Sequence, residues 1–233
     1  MLNLAFVVQA RLTSTRLPCK SALTLNSGRS CVSEVLHRIK AYNVLRGSNH
    51  AIILACPEDE QPFFEILTRG EGFEIFGGDP NDLSKRFYDL IEKKNLDGVI
   101  RVTGDNPYLC FDVLDFLFKN ISSNIQDCIS FYHQKQLPNG TVVSYLGRGY
   151  VKLISESGCA KVREHLVVSE NKAINECIVC PELPPSLLWP TGRFCLDNLD
   201  DYKFLLSNIN ISNLTSVDEM MTQLSQRNWS GSY

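Results

Sequence analysis

The sequence predicts an α/β fold, a doubly wound and mostly parallel sheet with helices on both faces. Apolar runs of strand length alternate with longer stretches whose apolar residues recur at helical spacing. The first run, LAFVVQ at 4–9, is apolar almost throughout, which suits a strand covered on both faces. Polar segments at 9–20, 56–60 and 104–107 each follow a strand-like run, and sheets of this kind bind ligands beyond the carboxyl ends of their strands.

After the strand at 4–9, Ser30 is a candidate N-cap for a helix carrying Val32, Val35, Leu36 and Ile39 on one face. The alternation continues with a strand at 51–55, a helix at about 60–69, a strand at 73–76 and a helix at about 82–94 with Leu83, Phe87, Leu90 and Ile91 on one face. A strand at 98–102, a helix at about 112–121 behind Asp112 and a strand at 128–131 follow. The second half is less regular. It is read as strands near 141–146, 174–179 and 193–196, with helices near 148–157, 162–170 and 199–207. A short helix is expected after Ser212 and a loose end over the last residues.

The 233 residues contain no Pro/Gly/Ser-rich linker, so one domain spanning 1–233 is expected. With 44% hydrophobic and 21% charged residues the composition is that of an ordinary globular protein. The net charge of −3 argues against nucleic acid or an anionic membrane as partner, so any anion site has to be local. No basic leader or membrane-length apolar run is present, and the expectation is a cytoplasmic protein without membrane insertion. The nine cysteines are odd in number and scattered, which reads as reduced, mostly buried thiols, Cys177 and Cys180 of the one CxxC included.

Chemistry concentrates after the first strand. QARLTSTRLPCK, residues 9–20, places Arg11, Arg16 and Lys20 among Thr13, Ser14 and Thr15. Guanidinium forks and a mobile ammonium beside hydroxyls can cradle a polyphosphate, although the same composition also describes a solvated turn. It is not the Gly-rich Walker loop. Asp105 follows a glycine at the end of an apolar strand, where its carboxylate can face the crevice. Asp197 ends the strand-like RFCL, and taken alone it reads as a helix N-cap. Arg163, Glu164 and His165 open a helix and alone read as an exposed charged turn. His37, His50 and His133 show no metal-ligand spacing among them.

QARLTSTRLPCK resembles the N-terminal signature of the cytidylyltransferase family that includes CMP-3-deoxy-manno-octulosonate synthetase, the acylneuraminate cytidylyltransferases and a spore-coat polysaccharide branch. LACPEDE (54–60), DPNDLSKRFYD (79–89), RVTGDNPYL (101–109), VREHLV (162–167) and RFCLDNLDDYKFL (193–205) agree with further family segments in order, closest to the spore-coat branch. The resemblance implies a Rossmann-like, glycosyltransferase-A-like fold and transfer of CMP from CTP, with Mg²⁺, to an acidic or sugar-like acceptor. Surface-glycan precursor synthesis and a homodimer follow from the same likeness. Carried over by position, Ala10, Arg11, Ser14, Arg16 and Lys20 would bind the triphosphate. Pro57, Asp59, Arg86 and Thr103 would lie near base or ribose. Asp105 and Asp197 would hold Mg²⁺, and Arg163, Glu164 and His165 would face the acceptor. Catalysis would fall to Arg11, Lys20 and Asp105.

The sequence departs from the family pattern at Cys19, where the family has glycine, and at Val142 and Ser144, where it has acids. Two other readings remain at this stage, a glycosyltransferase using a nucleotide sugar and a non-catalytic nucleotide or sugar binder. GDNP supplies one carboxylate where a metal-binding DxD would supply two, which disfavours the first.

Overall fold

The structure, a computed structural model, describes residues 2–121, 127–131, 137–157, 160–167, 171–188 and 194–208, together with 216 and 219. The first half alternates as expected: β1 (Leu4–Gln9), α1 (Cys31–Arg46), β2 (Ala51–Pro57), α2 (Gln61–Leu67), β3 (Glu74–Gly78), α3 (Leu83–Lys94), β4 (Gly98–Thr103) and α4 (Phe111–Ile121). β5 (Cys128–Ser130), β6 (Ser144–Gly147), α5 (Arg148–Glu156), α6 (Ala160–His165), α7 (Lys172–Glu176), β7 (Ile178–Val179) and α8 (Leu199–Asn208) follow. The strands form one seven-stranded sheet in the order β3-β2-β1-β4-β6-β5-β7. Only β6 is reversed, antiparallel to both β4 and β5.

β1 shows why the sheet is covered twice. Leu4, Phe6 and Val8 point into a core shared with α1 and α4, while Ala5 and Val7 point into a second core shared with α3 and α5. The helix starts are locally encoded. Ser30 Oγ accepts from Ser33 N at 3.2 Å to cap α1, and Asp82 Oδ1 accepts from Lys85 N at 3.0 Å to cap α3. β1 has β2 on one side and β4 on the other, so the strand order reverses between β1 and β4. A crevice opens at such a point, and the loops after β1 and β4 border it.

The second half corrects three expectations. The strand expected at 174–179 is α7 followed by the two-residue β7, because Asn171 Oδ1 accepts from Ala173 N at 3.0 Å and starts a helical turn. Phe194, Cys195 and Leu196 lie outside the sheet. Their backbone pairs with loops instead, Phe194 N donating to Asn139 O at 2.7 Å and Leu196 N to Asp105 O at 2.8 Å. Gly140 permits this approach, since it sits at φ +96° and a Cβ there would fall 2.5 Å from Cys195 N. Arg163 to His165 close α6 rather than open a helix. Leu166, left-handed at φ 59°, ends it. The loose C-terminus, His133 and Arg193 lie outside the described residues, as does the expected tail helix apart from Ser216 and Glu219.

Candidate active site

The loop after β1 is tied down at its base on every side. Ala10 N donates to Ala55 O at 3.1 Å, and Leu12 N donates to Glu60 Oε2 at 2.8 Å. Leu12 O in turn accepts from Cys19 N at 2.9 Å, which closes the loop onto itself. Cys19 is left-handed, at φ 55° and ψ 23°, and leads into a 3₁₀ turn over Lys20–Ala22. This is a conformation that glycine adopts without strain, here held by a cysteine whose side chain is exposed.

That turn aims Lys20 at two carboxylates far apart in sequence. Its Nζ lies 2.8 Å from Asp197 Oδ1 and also pairs with Asp105 Oδ2. Arg16 adds a second cation, 3.0 Å from the same Asp197 oxygen. Lys20, Asp105 and Asp197 are only 14%, 24% and 15% exposed in their side chains, so the cluster is far less screened than a surface pair. Burial works against the ammonium of Lys20, but Asp105 and Asp197 outweigh it and raise its pKa above the ordinary 10.5. Burial likewise pushes the Asp197 carboxyl up. Its hydrogen bond to Lys20, the charges of Lys20 and Arg16 and the Cys195 thiol win, and it sits below the ordinary 3.8.

Asp197 reaches this position without being a strand end or a helix cap. Asn198 takes the cap: its Oδ1 accepts from Asp200 N and Asp201 N, both at 2.9 Å. Asp201 reaches back to accept from Asp197 N at 2.9 Å and Asn198 N at 3.1 Å. The Asp197 carboxylate is thereby turned toward Lys20 and Arg16. Cys195, Asp197 and Asp201 bring possible ligand atoms within 4.8 Å of one another, but the Asp201 carboxylate is engaged in this capping box.

The remaining expected residues divide. Arg11 Nη2 lies 3.4 Å from Glu164 Oε1 at an exposed contact that brings the first loop beside the end of α6. Exposed pairs of this kind contribute little stability. Arg163 points elsewhere, its Nε 3.1 Å from Asp82 Oδ2, so it fastens α6 to the capped start of α3. His165 lies next to Glu164 and is exposed. Ser14 Oγ faces Leu17 N at a long 3.5 Å. Arg86 is buried and donates to Asp79 O from Nε at 3.0 Å and from Nη2 at 2.6 Å, which braces the 79–80 turn. Burial lowers its pKa, partly offset by Cys56, Glu60 and Asp79. Pro57 is buried at the end of β2, and Asp59 is exposed just beyond it. Thr103 Oγ1 is buried at the end of β4 with no partner among the described residues.

Ser144 is buried opposite Arg101 in the β4–β6 ladder and lies 3.3 Å from the Ser130 hydroxyl, while Arg101 Nε donates to Gln9 Oε1 at 2.8 Å. An acid at 144, as the family carries, would stand beside this arginine. Glu60, Asp82, Asn198 and Asp201 make contacts around the site that sequence reading did not single out. Asp82 and Asn198 each directly precede a helix, and that placement was the available signal.

Sheet order and the buried cation–carboxylate cluster define an α/β protein with a candidate anion-binding site at the point where its strand order reverses. A family model for cytidylyltransferases matches residues 5–167, and the chain belongs to that family. Membership supports nucleotidyltransferase activity. The spore coat polysaccharide biosynthesis protein SpsF of Bacillus subtilis is 30% identical over 120 residues, 51% of this chain and 50% of that protein, so the matched stretch spans half the length of this relative. A cytidylyltransferase from Leptospira borgpetersenii superposes with a TM-score of 0.82 at 22% identity, covering 100% of both chains. CMP:2-keto-3-deoxy-manno-octonic acid synthetase complexed with CTP superposes with a TM-score of 0.56 at 14% identity, over 84% of this chain and 93% of that one. At these identities the two structures speak for the fold. No described helix is long and apolar enough to cross a membrane.

Proposed function

We propose that the protein transfers CMP from CTP to an acidic or sugar-like acceptor with release of pyrophosphate, in the synthesis of a surface-glycan precursor. The observation that carries this reading is the meeting of Lys20, Asp105 and Asp197 at the strand-order reversal, directly under a loop that also bears Arg11 and Arg16. Two carboxylates that already share one cation fit a divalent metal, for which Asp105 and Asp197 are the holding residues. Bound there, Mg²⁺ would supply charge neutralisation at the phosphate oxygens.

The chain's own groups do the rest. Arg11, Arg16 and Lys20 neutralise the triphosphate and the departing pyrophosphate, a task of positioning and electrostatics. An acceptor oxygen attacks the α-phosphorus while the bond to the bridging α,β-oxygen breaks. Glu164, 3.4 Å from Arg11, places the acceptor next to the phosphate loop, with His165 beside it. Ala10, Ser14, Pro57, Asp59, Arg86 and Thr103 border or brace the nucleotide side. The same reading carries a homodimer in the cytoplasm, which light scattering and cell fractionation check. Incubating the protein with each of the four nucleoside triphosphates, Mg²⁺ and a panel of acidic sugars tests the function. Pyrophosphate release confined to CTP is expected, and release with none of the four overturns it.

A further inference from the structure

A carboxylate beside a triphosphate site is unfavourable unless it does something else. The Glu60 carboxylate accepts the Leu12 N–H at 2.8 Å across 48 positions, from the turn after β2 to the base of the loop after β1. Leu12 is the point where that loop closes, because its carbonyl accepts from Cys19 N at 2.9 Å. Arg11 and Lys20 flank the closure directly. The buried Arg86 guanidinium lies near enough for the Glu60 charge to act on it, which offsets part of the cost of the carboxylate. We infer that Glu60 is a positioning residue for the nucleotide loop: by clamping Leu12 it sets the separation of Arg11 and Lys20. This rests on the nucleotide reading above.

Glu60→Ala, with amide exchange at Leu12 and CTP affinity both measured, tests the clamp. Leu12 exchange should accelerate at least about tenfold, and CTP binding should weaken on the order of ten- to a hundredfold, the scale of one lost charge-assisted hydrogen bond. In turnover the loss should fall on KM more than on kcat. Glu60→Gln, whose amide oxygen can accept the same bond, should recover most of both. Unchanged CTP affinity in Glu60→Ala overturns the inference even where Leu12 exchange responds. A parent protein that does not bind CTP overturns the nucleotide reading and the inference with it.

Lys20 supports an inference of its own. Its ammonium stands between the two carboxylates that would hold the metal, and a divalent cation placed beside it would meet like charge at close range. We propose that Lys20 keeps the site closed to free metal, and that metal is taken up only as a triphosphate draws the ammonium away. Titration with Mn²⁺ alone, followed by its electron paramagnetic resonance signal, tests this without turnover. Lys20→Met should bind Mn²⁺ at least about tenfold more tightly than the parent, whereas Lys20→Arg should bind no more tightly. Lys20→Gln serves if the methionine variant does not fold. Asp105→Asn in the Lys20→Met background should abolish the gain, and survival of the gain overturns the proposal. A parent that binds Mn²⁺ as tightly as Lys20→Met overturns the closure but leaves the metal site standing. A Lys20→Met protein that binds none overturns both.

Discussion

The two halves of the molecule reach the same crevice by different means. β1 to β4 are five to seven residues long, all parallel, and each delivers its following loop to one edge. β5, β6 and β7 have three, four and two residues, and β6 runs backward. In the first half, repeated strand–helix packing places Lys20 and Asp105. In the second, single hydrogen bonds and one glycine place Asp197: Leu196 N on Asp105 O, Phe194 N on Asn139 O, and Gly140 beneath them. Asp197 is therefore placed by a few loop contacts where Lys20 and Asp105 follow strands of the sheet, and its position is more open to single substitutions.

The junction between the halves should show the largest effect. Asp105→Asn and Asp197→Asn keep side-chain size and remove a charge, so each should remain folded while transfer activity falls by about two to three orders of magnitude. Near-normal activity in Asp197→Asn would mean that the second half does not contribute to the chemistry. Next comes Gly140→Ala, which adds a Cβ 2.5 Å from Cys195 N at a positive φ. A destabilisation of about 2–4 kcal/mol in urea melts is expected, and a loss under about 1 kcal/mol would show that the loop contact is slack.

Acid titration sharpens the same contrast. The Asp197 carboxyl has a folded pKa below 3.8, so its ionised form favours the folded state. That contribution is present above pH 3.8 and is lost as pH falls through the lower folded value. The stability gap between parent and Asp197→Asn should therefore close in acid, and a gap independent of pH would remove the ion pair as its cause. The smallest effect is expected in the first half, at Cys19→Gly. Relief of a left-handed non-glycine residue, offset by a more flexible unfolded chain, should raise stability by up to about 1 kcal/mol with activity retained. A collapse of activity would instead assign the thiol a specific role.

Legibility in the sequence follows the same division. The strands and helices through Ile121 were readable because an apolar run or a helical stripe reports burial directly, and Ser30 marked a helix start. Asp197 was picked out by the family pattern, yet its setting was misread. RFCL has the composition of a strand, and nothing local shows that its backbone partners are Asn139 and Asp105. NECIV was read as a strand because Ile178 and Val179 favour one, while the competing signal, the Asn171 side chain, lies several residues earlier. Lys20 stood out as a cation in a polar loop. Its contact with two acids, 85 and 177 positions away, depends on strand order, which periodicity does not encode.

The Lys20 ammonium also bears on how the protein withstands handling. In small proteins whose metal binding supplies the folding energy, a chelator is a denaturant. Here the positive charge that reconciles Asp105 with Asp197 is covalently part of the chain, so the pairing of these two carboxylates does not depend on a metal that a chelator could remove. The emptied protein should melt where the untreated one does, keep its crevice formed, and regain full competence on remixing without a refolding step.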